Sequence, residues 1–191
     1  ALGSNGVRLF EITRAYGAFA NGGYKVDPYA VERVETSRGQ VIYQAPKPKT
    51  VRVMDLNTAA VMTAMLKTVI KSGTGVAANI GKPAAGKTGT TDDSKDACFI
   101  GYTPDVVTGV WVGNDDNTKN GKITGGTVPA LIWREVMSVA TAPYGASDFD
   151  YPEIDLKNYS SSKKFGSDQK AEDESAEEAG DEEITSDEEL S

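Results

Sequence analysis

The chain has 191 residues, no histidine, one cysteine and a formal net charge of −8. This length favours a single domain with a buried core, and the missing histidine excludes from this sequence a Ser-His-Asp triad, a histidine general base and a histidine-ligated metal site. One cysteine excludes an intrachain disulfide and a multi-cysteine metal site, so we expect neither a cofactor nor a metal here.

The first part of the chain predicts a helix followed by a hairpin. Apolar residues recur at helical spacing over residues 5–21, with Ser4 or Asn5 as the N-cap. Two short strands, Tyr29–Glu35 and Val41–Tyr43, then flank a turn, and two prolines mark the loop that follows.

The clearest helix covers residues 57–71, with Asp55 or Asn57 as its N-cap. Two strands follow a Gly/Pro-rich stretch, at Ala97–Tyr102 and Val106–Val112. The predicted buried face of the helix consists of Val61, Met62, Met65, Leu66, Val69 and Ile70.

A third helix is predicted to begin near Pro129 and to end before Pro143. We expect Cys98 to be a packing residue, because free cysteine is commonly buried, and Trp111 and Trp133 to be core residues. The order of helix, hairpin, helix, strands and helix indicates a mixed α/β, α+β-like fold.

The negative charge belongs to the end of the chain. Residues 168–191 carry twelve acidic residues and one lysine. They have too few apolar side chains to offset their ordering entropy, so we expect a domain at residues 1–150 and a linker with a disordered tail at residues 151–191. The domain shows no basic stripe of the kind that binds nucleic acid, and no apolar run approaches the roughly 18 residues of a membrane span. Because the chain begins with Ala1 rather than Met, we expect a piece of a longer protein.

Residues 81–88, GKPAAGKT, match the phosphate-binding pattern GxxxxGK[ST]. Such a site needs a buried strand before the loop and a helix that begins at the lysine, so that backbone N–H groups cradle the phosphate. Here a helix and a Gly-rich loop come first, and polar residues that lead into a strand follow. A P-loop NTPase is therefore a possible function but not the favoured interpretation.

The K-T-G at residues 87–89 is also a motif of serine-acylating penicillin-binding proteins and β-lactamases. Residues 86–116, GKTGTTDDSKDACFIGYTPDVVTGVWVGNDD, closely resemble the end of the transpeptidase domain of class A, bifunctional penicillin-binding proteins. The resemblance covers nearly all of residues 1–145 and includes, in the family's order, residues 12–23, 54–75 and 125–137.

This resemblance implies the penicillin-recognising α/β fold, an antiparallel sheet flanked by helices. Lys87–Thr90 would form an edge strand, residues 97–112 its neighbours, and residues 127–140 a helix on one face. The implied parent is a membrane-anchored enzyme on the extracytoplasmic side that cross-links peptidoglycan stem peptides and binds β-lactams. Its N-terminal part would polymerise glycan and carry the anchor. Cell-division or elongation proteins are possible partners by the same resemblance, and nucleic acid is not.

The resemblance also implies a role for each residue of the edge strand. Lys87 would supply positive charge and proton-transfer coupling, and the Thr88 and Thr90 hydroxyls would hold the terminal carboxylate of a D-Ala-D-Ala stem peptide. The Thr90 backbone N–H would be an oxyanion donor, and Gly89 would let the substrate backbone approach the strand. Lys87 and Thr90 are thus the implied catalytic residues, and Thr88, Gly89 and Thr90 the implied substrate-binding residues.

The family's nucleophile lies in S-x-x-K, and S-x-N comes between that motif and K-T-G. This chain has no S-x-N, and the S-x-x-K matches at Ser160/Lys163 and Ser161/Lys164 lie downstream of K-T-G in a Ser-rich linker. We therefore expect the nucleophile upstream of Ala1 and expect residues 1–191 alone to be inactive. Two further functions stay open at the level of the sequence, a β-lactamase-type hydrolase and a non-catalytic cell-wall interaction module.

Overall fold

The computed structural model describes residues 6–156. Most of the predicted linker and the whole acidic tail lie outside the described residues. No helix within residues 6–156 is long and apolar enough to cross a membrane. In chain order the elements are α1 (Leu9–Ala20), β1 (Tyr24–Val26), β2 (Arg33–Glu35), β3 (Val41–Gln44), β4 (Thr50–Arg52), α2 (Leu56–Ser72), a 3₁₀ turn (Val76–Ala78), β5 (Ala85–Thr90), β6 (Asp96–Tyr102), β7 (Val107–Gly113) and α3 (Val128–Ala140).

Strands β5, β6 and β7 form an antiparallel sheet in that order, so that β5 lies at an edge. Thr88 of β5 is paired with Phe99 of β6. At the turn between β6 and β7, the Thr103 hydroxyl accepts hydrogen bonds from two backbone N–H groups at 3.2 and 3.3 Å. These observations confirm the strand pair predicted at residues 97–112 and the edge strand expected at residues 87–90.

Two short antiparallel ribbons, β1 with β4 and β2 with β3, form the segment between α1 and α2. The predicted hairpin is confirmed, but its first strand begins at Arg33 and not at Tyr29. The ladder ends where the Ala45 N–H donates to the Glu32 carbonyl at 2.8 Å, because Pro46 has no N–H with which to extend it. Strands β1 and β4 have three residues each, too few for an alternating pattern, and the sequence does not predict them.

Helix α1 begins at Leu9, and its N-cap is Arg8, whose side chain makes no capping hydrogen bond. The predicted caps Ser4 and Asn5 are therefore wrong. Gly6 follows them directly, and glycine in a helix costs about 1 kcal/mol relative to alanine. The helix begins after Gly6, at Leu9.

Helix α2 is capped as predicted, since Asp55 Oδ1 accepts the Thr58 N–H at 2.9 Å. Met65, predicted to be buried, is exposed. The buried Thr63 hydroxyl hydrogen-bonds to the Tyr102 hydroxyl at 2.9 Å, so this polar side chain can lie at the centre of the buried face. A search for apolar residues at helical spacing therefore misplaces the buried face. The buried face consists of Ala59, Ala60, Thr63, Leu66 and Ile70.

The core is built around Phe99 of β6 and Trp133 of α3. Both side chains are fully buried, and their rings meet edge to face with centroids 5.2 Å apart. The indole N–H of Trp133 donates to the carbonyl of Gly101 at 3.3 Å and to that of Thr108 at 3.1 Å. The prediction that Trp133 is a core residue is confirmed.

Three glycines surround the Phe99 ring. A Cβ atom added at Gly75, Gly86 or Gly101 would lie 2.9, 2.7 and 2.9 Å from carbons of that ring. Because real Cβ atoms essentially never come so close, the missing side chains are what lets the end of α2, strand β5 and strand β6 pack around one aromatic ring.

Trp111 of β7 is 43% exposed, so its predicted place in the core is wrong. Its indole N–H donates to Asp96 Oδ1 at 2.9 Å. Helix α1 covers this face of the sheet at Gly109, where Leu9 and Thr13 are the nearest side chains. Since α1 begins at Leu9, Trp111 lies beyond the cover that the helix provides.

The two tryptophans allow a matched test of this core. Trp133→Ala should lower the free energy of unfolding by about 3–5 kcal/mol, because it removes a fully packed indole and leaves a cavity. Trp111→Ala should cause a clearly smaller loss, since that ring is partly in solvent. Urea unfolding of both variants measures the difference, and equal losses would contradict the assignment of the core.

The chain after α3 folds back over α1 and α2. Lys67 Nζ donates to both carboxylate oxygens of Asp148, at 2.8 and 2.7 Å, and lies 5.8 Å from the centre of the Phe149 ring. The Tyr151 hydroxyl accepts the Gly22 N–H at 2.9 Å and donates to a carbonyl of α1. These contacts tie the segment to both helices.

The Asp148 ion pair makes a pH-dependent contribution to stability. Partial burial acts to raise the pKa of Asp148, but the hydrogen bonds from Lys67 and from the Phe149 N–H outweigh it and lower the pKa. A carboxylate with a lowered folded-state pKa stabilises the fold above its unfolded pKa of about 3.9 and loses that contribution as the pH falls through the folded-state value.

Asp148→Asn should therefore reduce the free energy of unfolding at pH 7, and the difference from the wild type should shrink below about pH 4. The loss at pH 7 should be modest, because both partners are partly exposed and solvent screens the pair. Urea unfolding at several pH values measures it. A difference that is as large in strong acid as at pH 7 would exclude this carboxylate as its source.

Candidate active site on strand β5

Strand β5 carries all four residues of the predicted site. It pairs with β6 alone, so its other edge has no strand partner within residues 6–156. Because side chains alternate along a strand, Lys87 and Gly89 face one side of the sheet and Thr88 and Thr90 the other. Lys87 and Thr90 are exposed, and Thr88 and Gly89 are half-buried. The four residues thus lie together along an accessible sheet edge.

The Lys87 ammonium and the Thr90 hydroxyl have donors beyond the hydrogen bonds described within residues 6–156, and the Thr88 hydroxyl has one when Thr74 is the donor of their shared hydrogen bond. The Thr88 hydroxyl lies 2.7 Å from the Thr74 hydroxyl, and the Thr90 hydroxyl accepts the Gly125 N–H at 3.1 Å. Lys87 Nζ donates to the Thr88 carbonyl at 3.0 Å. An ammonium has three donors and each hydroxyl has one, so this edge can still donate to an anion.

Two segments outside β5 hold these hydroxyls, and sequence reasoning assigned neither to the site. Thr74 lies in the loop after α2, and Gly125 lies in the loop before α3. A Cβ atom at Gly125 would be 2.3 Å from the Cys98 carbonyl and 2.6 Å from the Gly89 carbonyl. The only signals in the sequence were the glycines themselves, in S-G-T-G at residues 72–75 and G-G-T at residues 125–127.

Gly89 is adjacent to Cys98, its pairing partner on β6. A Cβ atom at Gly89 would lie 2.5 Å from the Cys98 sulfur, so only glycine fits here. Cys98 is half-buried, and its sulfur packs against Gly89 as expected of a packing residue. Burial raises the pKa of its thiol, and the nearby Asp96 carboxylate adds to the rise. Cys98 is therefore a protonated packing group at neutral pH.

Cys98 should react slowly with iodoacetamide at pH 7, because the thiolate is the reactive form and the raised pKa keeps it scarce. The rate should rise with pH only above the range in which an ordinary cysteine ionises, near about 8.5. Alkylation followed by mass spectrometry, with glutathione as the reference thiol, gives the rate. Alkylation as fast as that of glutathione at pH 7 would contradict this assignment.

The structure excludes a phosphate-binding loop at residues 81–88, because Lys87 lies in the middle of strand β5 and the next helix begins at Val128. The lysine therefore does not open a helix, as that site would require. Within residues 6–156 no three His, Cys, Asp or Glu side chains are arranged to hold a metal ion. Asp92 and Asp93 lie in an exposed loop, and the hydrogen bond from Lys119 lowers the pKa of Asp93.

Comparison with known proteins decides the family. Residues 3–138 match the family model described as the penicillin binding protein transpeptidase domain. The chain belongs to this family. Penicillin-binding protein 1A of Pseudomonas aeruginosa is 38% identical, over 73% of this chain and 23% of that protein. Penicillin-binding protein 1A of Aquifex aeolicus is also 38% identical, over 80% of this chain and 21% of that protein.

The family match agrees with the three-dimensional comparison. The penicillin-binding protein PonA1 from Mycobacterium tuberculosis superposes with a TM-score of 0.66 at 28% identity, covering 80% of this chain and 43% of that chain. These matches confirm the expected family and its mixed α/β fold with an antiparallel sheet. The chain spans only about a fifth of the length of the curated relatives, 21–23%.

Proposed function

We propose that this chain is the K-T-G-bearing part of a serine-type D,D-transpeptidase that cross-links peptidoglycan stem peptides. The observation that carries the proposal is the open edge of β5, which carries Lys87, Thr88 and Thr90 within four consecutive residues of an accessible strand, in a member of the penicillin-binding transpeptidase family. This combination supports a transpeptidase over a β-lactamase or a non-catalytic cell-wall module.

The open edge suits an extended peptide, which can add to it as a further strand and be held by backbone hydrogen bonds. A stem peptide that ends in D-Ala-D-Ala carries a terminal carboxylate. The Thr88 and Thr90 hydroxyls would donate to that carboxylate, and hydrogen bonds to a charged group are each worth about 1.5–3 kcal/mol. The Lys87 ammonium would supply positive charge and proton-transfer coupling. Binding would thereby place the scissile carbonyl beside the strand.

The proposed reaction is acyl transfer in two steps. A serine hydroxyl from outside residues 1–191 attacks the carbonyl carbon of the penultimate D-Ala, and the terminal D-Ala leaves with a proton on its amine. An amine of a second stem peptide then attacks the ester and releases the serine hydroxyl. The Thr90 backbone N–H would stabilise the oxyanion in both steps, and one such donor is worth about 10²–10³ in rate.

We further propose that β-lactams acylate the same serine, with their carboxylate in the position of the stem-peptide carboxylate. By the same reasoning the parent protein is anchored in the cytoplasmic membrane, exposes this domain on the extracytoplasmic side and carries a peptidoglycan glycosyltransferase. Carboxypeptidase activity follows where water replaces the second amine. Division or elongation proteins are proposed partners of the parent.

A labelling experiment on the natural full-length protein that contains these residues tests the site. Lys87→Ala and Thr88→Val should each lower the rate of covalent labelling by a fluorescent penicillin by about tenfold or more, because the first removes the positive charge and proton-transfer coupling and the second removes a donor to the carboxylate. Lys122→Ala changes an exposed lysine that is not part of β5 and is the control for charge.

Undiminished labelling of both β5 variants would contradict the assignment of the site to β5. Rapid loss of label with release of hydrolysed penicillin would instead favour a β-lactamase. Absence of any label, together with binding to peptidoglycan sacculi that Thr88→Val does not change, would favour the non-catalytic module.

A further inference from the structure

Three separate segments of the chain meet at the Thr88 side chain. Thr88 belongs to β5, Thr74 follows α2, and Gly126 precedes α3. The two hydroxyls are 2.7 Å apart. A Cβ atom at Gly126 would be 2.2 Å from the Thr74 carbonyl and 3.7 Å from the Thr88 methyl carbon. The Thr74 backbone is therefore enclosed by the segment before α3.

Glycines on both sides of Thr74 fix its position further. The N–H groups of Gly73 and Gly75 both donate to the Val69 carbonyl, at 3.2 and 3.0 Å. A Cβ atom at Gly75 would be 2.9 Å from the Phe99 ring. The place of Thr74 is thus set by its backbone and its neighbours, whereas its own side chain is exposed. The hydroxyl is available for a role other than holding the fold.

Each of the two threonines of β5 has a hydrogen-bond partner in a neighbouring loop. Thr90 accepts a hydrogen bond from the Gly125 N–H, which uses an oxygen lone pair and leaves the hydroxyl hydrogen to point elsewhere. Thr74 is the hydrogen-bond partner of Thr88, as Gly125 is of Thr90. When Thr74 donates to Thr88, the Thr88 hydrogen is free, and the chain of two hydroxyls is polarised toward an outside acceptor.

We propose that Thr74 is a positioning residue for carboxylate recognition, one that donates to Thr88 and thereby holds the Thr88 hydroxyl as a donor to the substrate or β-lactam carboxylate. This inference rests on the proposed function of β5. It assigns to a loop residue outside the K-T-G strand a role in affinity for the anionic end of the ligand.

The test uses the full-length protein and two forms of one ligand. Thr74→Val keeps the shape of the side chain and removes the hydroxyl. It should lower the second-order rate of acylation by a penicillin about tenfold, the effect of losing about 1.4 kcal/mol of hydrogen bonding. The methyl ester of the same penicillin has no carboxylate, and its acylation rate should be unchanged.

Matched variants separate positioning from general damage. Thr74→Ser restores the hydroxyl and should restore the penicillin rate to within about twofold, in line with an intact hydrogen bond. Thr68→Val removes an exposed hydroxyl that bonds only within α2 (Thr68 Oγ1 to the Met65 carbonyl, 2.6 Å) and should leave both rates unchanged. In a Thr88→Val background, Thr74→Val should have no further effect, because its partner is gone. Thr74→Ala repeats the test should the valine variant fold poorly.

The outcomes distinguish this inference from the proposed function. If Lys87→Ala and Thr88→Val slow acylation but Thr74→Val does not, or slows the acid and the ester equally, the role of Thr74 is overturned and the site on β5 stands. If Lys87→Ala and Thr88→Val have no effect, the site on β5 itself is wrong.

Discussion

The buried ring of Phe99 sets the distances between four parts of the chain. Gly75 after α2, Gly86 on β5 and Gly101 on β6 all pack against it without a side chain, and Trp133 of α3 closes the remaining side. Because a protein interior is packed about as densely as an organic crystal, none of these segments can move without a clash or a cavity. The core beneath strand β5 therefore fixes its position, and the exposed edge of the strand is held rigidly.

The elements that the sequence predicts correctly are those with a strong local cause. Asp55 caps α2, Pro129 stands in the first turn of α3, and Thr103 organises the turn between β6 and β7. Two of the errors about burial have a tertiary cause. Thr63 is buried because Tyr102 satisfies its hydroxyl, and Trp111 is exposed because α1 begins too late to cover it, and neither relation is visible in a periodicity.

In the candidate site, too, the residues with a local sequence signal are predicted and those brought in by the fold are not. The residues of β5 are found from a short motif and a resemblance, since they are contiguous. Thr74 and Gly125 are 14 and 35 residues from the threonines that they contact, so only the folded chain brings them together. Glycines in the two loops indicate that another part of the chain comes close to the backbone there, but the sequence does not identify that part as β5.

Gly125 and Gly126 also bear on how this part of the protein can change by mutation. Each leaves no room for a side chain, since an added Cβ atom would fall 2.3 Å or less from a backbone oxygen. Substitution of either glycine must push the loop away from β5 and remove the hydrogen bond that the Gly125 N–H donates to the Thr90 hydroxyl. Thr74, by contrast, has an exposed side chain, so there is room for it to change. Under selection for altered ligand affinity, inherited variants of this corner should therefore arise at the hydroxyl-bearing positions, while the glycines that hold them stay fixed.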